Sequence, residues 1–313
     1  MKTVQVTRFG DPDVLQTRDA PDPWPGAGEV LIAVEVVEVL FLDTQLRAGW
    51  GQDFVPMRPP WVPGTGVAGT IRAVGDGVER QRVGTQVIAR TGNEGAYAEL
   101  VVIQSDEATG IPHGLDSAVA TAALHDAALA LDRLERAELD AGSRVLVTAA
   151  AGSLGQWFVP LAKETGAHVV GAAGGAAKTD AVHALGADLA VDYREPGWAD
   201  AAGGPFNVVF DGAGGQIGRI ALRLTADGGT FFGHGAASGD FAPIESERAI
   251  TTIGVDVQLD EATWRRHTRS GLELLAAGRV TPIIGQRVPL AKAADAHEAM
   301  ARRTVIGKSV LIV

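Results

Sequence analysis

The chain contains no cysteine. That absence removes disulfides, thiolate nucleophiles and every thiolate metal site together. Tyrosine is nearly as scarce, with only Tyr97 and Tyr193 in 313 residues, so phenolic proton donors are few. No apolar run reaches the roughly 18 residues that would span a bilayer, and the opening MKTVQVTRFG lacks the apolar core of a secretory signal. Positive charge is in deficit. The 27 Lys and Arg face 38 Asp and Glu, a formal net charge of -11, which argues against a phosphate-backbone partner such as nucleic acid. Internal repeats and low-complexity tracts are absent too. A soluble cytoplasmic protein acting on small molecules is the expectation.

What is present is an ordinary globular composition, 46% hydrophobic and 21% charged. The length allows one large domain or two modest ones. The stretch RVLVTAAAGSLG, residues 144–155, organises the rest. Val145-Leu146-Val147 has buried-strand character. A small-residue turn follows, and then Leu154, Trp157, Phe158 and Leu161 recur at helical spacing. Strand, tight turn and helix is the geometry that brings backbone N–H groups and a helix N-terminus to a pyrophosphate. Gly152 and Gly155 fit the second and third glycines of G-x-G-x-x-G, while Ala150 holds the first place. After Gly166, His168 to Ala172 reads as a second parallel strand. An NAD site puts an acid about 20 residues past the glycines to hold the ribose 2′-OH. Here Ala172 and Ala173 stand there, with Gly174 and Lys178 just beyond. A 2′-phosphate would be repelled by an acid and attracted by Lys178, so the pattern favours NADPH over NADH.

Around this centre the chain changes texture. Residues 1–115 carry short strands with Gly and Pro turns: Val4 to Val6, Gly28 to Val36, Val67 to Val74, Val83 to Ala89 and Gly95 to Val102. Residues 11–28 and the proline-rich 58–64 read as loop. Such a pattern points to a compact barrel-like unit. Residues 116–139 are Ala/Leu-rich and predict helix, capped by Asp116 or Ser117. From Arg144 onward strands and helices alternate. Further strands are expected at Leu189 to Asp192, Val208 to Asp211, Thr230 to Phe232 and Ile253 to Leu259, with helices at Gln216 to Leu224 and from an Asp260 cap to Ala277. Alternation of this kind predicts a doubly wound parallel sheet with right-handed crossovers. Pro160, inside a helix, predicts a bend.

The segments PGAGEVLIAV, LFLDTQLRAG, VPGTGVAGTIRAVG, GAYAELVV, AAAGSLG, ALGADLAVDYRE, FFGHGAASG and RRTVIGKSVLIV together resemble the medium-chain dehydrogenase/reductases, in the zinc-free quinone oxidoreductase (zeta-crystallin-like) branch. The resemblance implies an α/β protein in which a Rossmann domain, residues 116–282, is inserted into a β-rich GroES-like domain formed by residues 1–115 and 283–313, with substrate in the cleft. It implies NADPH as cofactor. Ala150, Gly152, Ser153, Leu154 and Gly155 match the pyrophosphate turn, and Gly174, Lys178 and Tyr193 the surroundings of the adenosine 2′-phosphate. Gly233, His234, Gly235 and Val255 match positions beside the nicotinamide, and Arg303 a basic residue facing the cofactor. It also implies a homodimer paired through edge strands, here Ile253 to Leu259.

The departures are informative. Zinc-dependent relatives need Cys and Gly-His-Glu; Gly64-Thr65-Gly66 stands in that place, so no catalytic zinc is expected. Leu40 stands where the branch usually has Asn, and Leu129 where it has a hydroxyl. A hydride from NADPH suits an electron-poor acceptor, a quinone or an alkene conjugated to a carbonyl. The negative charge that then builds on the carbonyl oxygen needs a proton. His125, with Asp126 beside it, is the first side-chain candidate, and backbone N–H groups or water are the alternative. Phe41, Asp43, Trp50, Phe54 and Trp61 lie on first-lobe loops and are candidates to line a pocket for a flat substrate. Two other readings stay open: an enoyl reductase acting on acyl thioesters, and an NADPH-binding structural or sensing protein with little turnover.

Overall fold

The computed structural model describes residues 1–53, 55–92, 94–242, 244–255 and 259–313. Phe54 therefore lies outside the described residues. In chain order the elements are β1 (Lys2–Val6), β2 (Leu15–Asp19), β3 (Glu29–Val39), α1 (Phe41–Ala48), β4 (Gly66–Val74), β5 (Gln86–Arg90), β6 (Leu100–Gln104), β7 (Thr109–Gly110), α2 (Ser117–Ala120) and α3 (Asp126–Ala137). Then come β8 (Arg144–Thr148), α4 (Gly155–Glu164), β9 (His168–Ala173), α5 (Ala176–Ala184), β10 (Leu189–Asp192), α6 (Trp198–Ala202), β11 (Phe206–Asp211), α7 (Gly215–Arg223), β12 (Thr225–Gly233) and β13 (Thr251–Ile253). The chain ends with α8 (Glu261–Ala276), β14 (Ile284–Pro289), α9 (Ala293–Ala301) and β15 (Lys308–Ile312).

Two compact units emerge. The first comprises Met1–His125, Thr268–Ala276 and Ile284–Val313. Its main sheet runs β14-β15-β3-β4-β5-β7, with β6 also on β3, and β1 pairs antiparallel with β2. The C-terminal strand β15 lies antiparallel on β3, with Val310 opposite Glu38. The alternating residues of β3, Val30, Ile32 and Val34, fill a core with Val67, Ile71, Tyr97 and Leu311. Residues 11–28, expected as loop, contain the strand β2. Its side chains are half-buried or exposed, so the apolar alternation that marks a strand is missing, and pairing to β1 alone holds it.

The second unit comprises Asp126–His267 and Ala277–Ile283. Its sheet runs β10-β9-β8-β11-β12-β13, all parallel, which is the doubly wound order expected. The order reverses between β8 and β11, both of which are buried along Val145–Val147 and Val208–Phe210. Helix α4 continues through Pro160, which stands in its second turn. The helix expected over 116–139 is instead two helices. Asp116 caps α2 through the Val119 amide (3.0 Å), and α3 starts afresh at Asp126. The break falls at Leu124 and His125, where the chain leaves one unit and enters the other. The strand expected at Ile253 to Leu259 is shorter and earlier. Thr251 to Ile253 pair with Thr230 to Phe232, Val255 is turn, and residues 256–258 lie outside the described residues. Among the described residues no helix is long and apolar enough to cross a membrane.

Candidate active site

The turn after β8 is held by backbone packing. Ala149 adopts a left-handed φ of 50°, a conformation that costs a non-glycine residue about 1–2 kcal/mol. The Ala150 amide donates to the Ala172 carbonyl (3.1 Å) and the Gly152 amide to the Ala149 carbonyl (2.8 Å). A methyl at Gly155 would overlap the Ala150 carbonyl and lie 2.6 Å from the Ala150 Cα. One at Gly152 would meet only the Ala149 oxygen, at 3.1 Å. Gly155 thus permits helix and strand to close up, and Gly152 keeps the outer rim of the turn bare. Ser153 donates its hydroxyl to Asp126 Oδ1 (2.9 Å), so Asp126, at the head of α3, steadies this turn. The residues present fit a dinucleotide pyrophosphate: a cradle that side chains would fill, facing a helix N-terminus.

The neighbouring turn, after β9, is equally bare. A Cβ on Gly174 would touch the Tyr193 ring at 3.0 Å, and Gly175 has a φ of 97° with the Arg194 guanidinium against it. Lys178 follows in the first turn of α5, its amide bonded to the Gly175 carbonyl (3.0 Å). Sequence reasoning missed the pair formed by Asp192 and Arg194. The guanidinium forks onto the carboxylate, with Nη2 to Oδ2 at 2.9 Å and Nε to Oδ1 at 3.1 Å. Arg194 beside Asp192, helped by the Gly175 amide, holds that carboxyl down at about 2. An acid does stand beside the nucleotide turn, then, but on the third strand rather than the second, and with an arginine on it. The run Asp-Tyr-Arg ending a strand was the available signal.

At the reversal point of the sheet, Thr148 donates its hydroxyl to Asp211 Oδ1 and accepts from the amides of Gly212 (3.2 Å) and Ala213 (3.1 Å). Asp211 is fully buried. Burial pushes its carboxyl up against the opposing pull of Thr148 and the Gly214 and Ala213 amides. Its carbonyl takes the amides of His234 (3.0 Å) and Gly235 (3.1 Å). A side chain on Gly235 would collide with Gly212. The segment Gly233-His234-Gly235 is therefore clamped to the end of β11. The His234 ring lies 5.1 Å from that of Phe158, which stacks on Phe210 at 4.1 Å. Burial, then the Arg133 guanidinium, pulls the imidazole down to about 3. It is neutral at ordinary pH, and its buried Nδ1 has no hydrogen-bond partner among the described residues. Val255 follows β13 and is 47% exposed.

The first unit contains a separate polar cluster. Glu38 and Lys308 are buried, and Lys308 Nζ bonds Glu38 Oε2 at 2.8 Å. The other carboxylate oxygen takes His125 Nδ1. Burial raises the Glu38 carboxyl, but His125 and Lys308 outweigh it and hold it at about 2. His125, expected beside Asp126 as proton donor, thus has Glu38 as its partner, while Asp126 serves Ser153. Nearby, Asp43 accepts the Leu40 amide (2.8 Å), and Tyr97 bonds His297 Nε2 (2.8 Å). Burial drives Asp43 up to about 7, against the Leu40 bond. Burial, then Arg47, drives His297 down to about 3.

Two pocket expectations need correction. Asp43 is 2% exposed and caps α1, because a carboxylate three residues into a helix reaches back to the first free amides. Trp61 is 6% exposed; it packs with Val6, Leu46 and Met57 and against the Phe9 ring, since its backbone bridges to Val6 and turns the indole inward. Phe41 and Trp50, at the two ends of α1, remain half-buried. Arg303 belongs to the first unit and sits just past α9 with a φ of 56°. Among the described residues no group of three or more His, Asp or Glu is placed to hold a metal ion.

Comparison with known proteins agrees with this architecture. The family model for the alcohol dehydrogenase GroES-like domain matches residues 26–113, and that for the zinc-binding dehydrogenase domain matches residues 185–311. The quinone oxidoreductase of Pseudomonas aeruginosa is 29% identical over 99% of this chain and 99% of its own. A 2-haloacrylate reductase of Burkholderia sp is 29% identical over 98% of this chain and 97% of its own. The solved structure of mycobacterial Rv1454c complexed with NADPH superimposes with a TM-score of 0.90 at 30% identity, covering all of both chains.

Proposed function

The chain belongs to the quinone oxidoreductase branch of the medium-chain dehydrogenase/reductase superfamily, and from that premise we propose that it is an NADPH-dependent reductase of small electron-poor acceptors, quinones or alkenes conjugated to a carbonyl. The observation that carries this reading is the bare cradle at Gly152 and Gly155, closed from behind by the Ala150 carbonyl. When bound there, NADPH supplies the hydride. The protein supplies position and electrostatics. The amides at the head of α4 receive the pyrophosphate. Lys178, Tyr193 and Arg194 surround the place of the adenosine 2′-phosphate, where a planar guanidinium suits a phosphate. Gly233, His234 and Gly235 form the clamped segment against which the nicotinamide end rests, with Val255, after the neighbouring strand β13, on the same unit. A neutral His234 beside Phe158 keeps that end apolar, which favours the uncharged reduced ring over its cationic oxidised form.

The relatives support the acceptor class, since one is named for quinones and one for a halogenated acrylate. Both are alkenes drained of electrons by a carbonyl. Oxidation of NADPH, followed by its absorbance, with a panel of quinones, enones and enoyl thioesters tests the reading. Turnover of quinone or enone above thioester is the expected result. Tight NADPH binding with none of the three turned over would overturn it in favour of a sensing role. The place of β13 at the end of its sheet, with no further strand on it among the described residues, supports a homodimer as a further part of the proposal, and sedimentation at micromolar concentration checks it.

A further inference from the structure

We propose that Thr148 and Asp211 are positioning residues for hydride transfer: their side chains latch the pyrophosphate turn to the segment that carries the nicotinamide end and set the spacing between the two. This rests on the coenzyme placement in the reductase reading above. Every residue of the latch belongs to the second unit. Thr148 ends β8 and Asp211 ends β11, opposite one another in the parallel ladder, and Gly233 of β12 lies opposite Asp211 on its other side. The first strand end leads into Ala149 and the pyrophosphate turn, and the third into His234. Gly212 lies where the three chain ends meet. A Cβ there would stand 3.3 Å from the Thr148 carbonyl oxygen, 3.3 Å from His234 Nε2 and 3.4 Å from the Ala149 Cβ.

The bonds run through this junction without a gap. A threonine hydroxyl has one hydrogen and two lone pairs. Thr148 uses all three, on Asp211 Oδ1 and on the amides of Gly212 and Ala213. The Asp211 carboxylate also accepts the Gly214 amide (3.2 Å), and its backbone carbonyl accepts those of His234 and Gly235. Moving the pyrophosphate turn against the nicotinamide segment therefore breaks side-chain bonds as well as the sheet ladder.

Folding alone does not call for this pair. Among the described residues the Asp211 carboxylate meets only hydroxyl and amide donors, and burying an acid without a cation is costly. Helix α7 makes room for it too. A Cβ at Gly218 would stand 2.4 Å from Asp211 Oδ2, and a glycine inside a helix is less stable than an alanine. What the pair supplies is a fixed distance. Pyrophosphate and nicotinamide are parts of one molecule, so a shift between their two supports passes to the reacting carbon. A misplacement of about 1 Å costs on the order of 10²-fold in rate. Neither side chain exchanges a proton or an electron with the substrate.

The test uses the full chain, with 1,4-benzoquinone as acceptor and adenosine 2′,5′-bisphosphate as a probe of the adenosine end alone. Thr148→Val keeps the shape and removes the hydroxyl. Single-turnover oxidation of bound NADPH, followed by absorbance, should slow about tenfold, while affinity for the bisphosphate stays within twofold. Thr148→Ser restores the hydroxyl and should restore the rate to within twofold of wild type. Asp211→Asn puts an amide where the carboxylate accepts, and should slow the same step about tenfold; it carries the test if Thr148→Val does not fold. A full single-turnover rate in folded Thr148→Val or Asp211→Asn overturns the proposal. So does a loss of bisphosphate affinity as large as the loss for NADPH, the mark of a merely structural role. If the wild-type chain binds NADPH but oxidises it with neither 1,4-benzoquinone nor 2-cyclohexen-1-one, the reductase reading itself falls and takes the proposal with it.

Discussion

Asp43 offers a measurable link between burial and pH. Its carboxyl, 2% exposed, binds its proton up to about pH 7 in the folded chain. An aspartate in an unfolded chain releases its proton near pH 4. Between these two values the folded state holds a proton that the unfolded state has lost, so stability falls as pH rises. The contribution is complete below about pH 4 and gone above about pH 7. A gap of about three pKa units corresponds to roughly 4 kcal/mol across that window. Glu38 works in the opposite sense but in a lower window, because its carboxyl is held at about 2; its share is lost only on acidification below the ordinary glutamate range. Asp43→Asn keeps an oxygen for the Leu40 amide and cannot titrate. It should cost about 1 kcal/mol at pH 4, where a protonated acid is replaced by an imperfectly matched amide. At pH 8 it should stabilise by about 2–3 kcal/mol, the ionisation cost less that mismatch. Urea titrations of both proteins at several pH values give the difference curve, in which other titrating groups cancel. A difference that does not change with pH would refute the assignment.

Gly155→Ala forces a methyl into the Ala150 carbonyl and should cost about 1–3 kcal/mol, as overpacking does, visible as a lowered melting temperature. Gly152→Ala, with only one contact at 3.1 Å, should leave melting nearly unchanged while weakening NADPH about tenfold in a fluorescence titration; equal melting temperatures for the two variants would contradict the geometry. Arg194→Ala removes the cation from Asp192 and leaves a bare acid beside Gly175, so the ratio of NADPH to NADH affinity should fall about tenfold, by roughly 1.4 kcal/mol; an unchanged ratio in paired titrations sinks the role given to Arg194. With no thiolate available, purified protein should hold no stoichiometric zinc, and elemental analysis finding one zinc per chain would overturn that expectation.

The parts of the site that were legible in the sequence are those whose reason is local. Gly152 and Gly155 lie three residues apart on one turn, and the collision that requires Gly155 is with Ala150, five residues away. The strand Leu189–Asp192 is bounded as its own apolar pattern suggests. Strand β2 escaped notice because only one neighbour holds it and its side chains are not core. The shortened β13 was misjudged for the converse reason: Val255 and Leu259 are apolar, yet the ladder with β12 ends at Ile253. Trp61 looked like pocket lining because aromatics on a proline-rich loop have no periodicity that tells inward from outward.

What escaped the sequence entirely is the partner of His125. Asp126 stands next to it, but neighbours in a helical segment point to different faces, so adjacency makes no pair of the two. The true partner lies 87 residues upstream on a strand whose pattern, EVLIAVEVVEV, reads as apolar with solvent-facing acids. Glu35 fits that reading, half-buried and bonded to the Thr70 and Ser117 hydroxyls. Glu38 does not, because Gly66 opens the space beneath it and Lys308 neutralises it there. Gly66, Lys308 and His125 are each unremarkable alone. Only the register of β3 with both β4 and β15 makes them one arrangement. That register is a property of the folded sheet, and no local pattern in the sequence displays it.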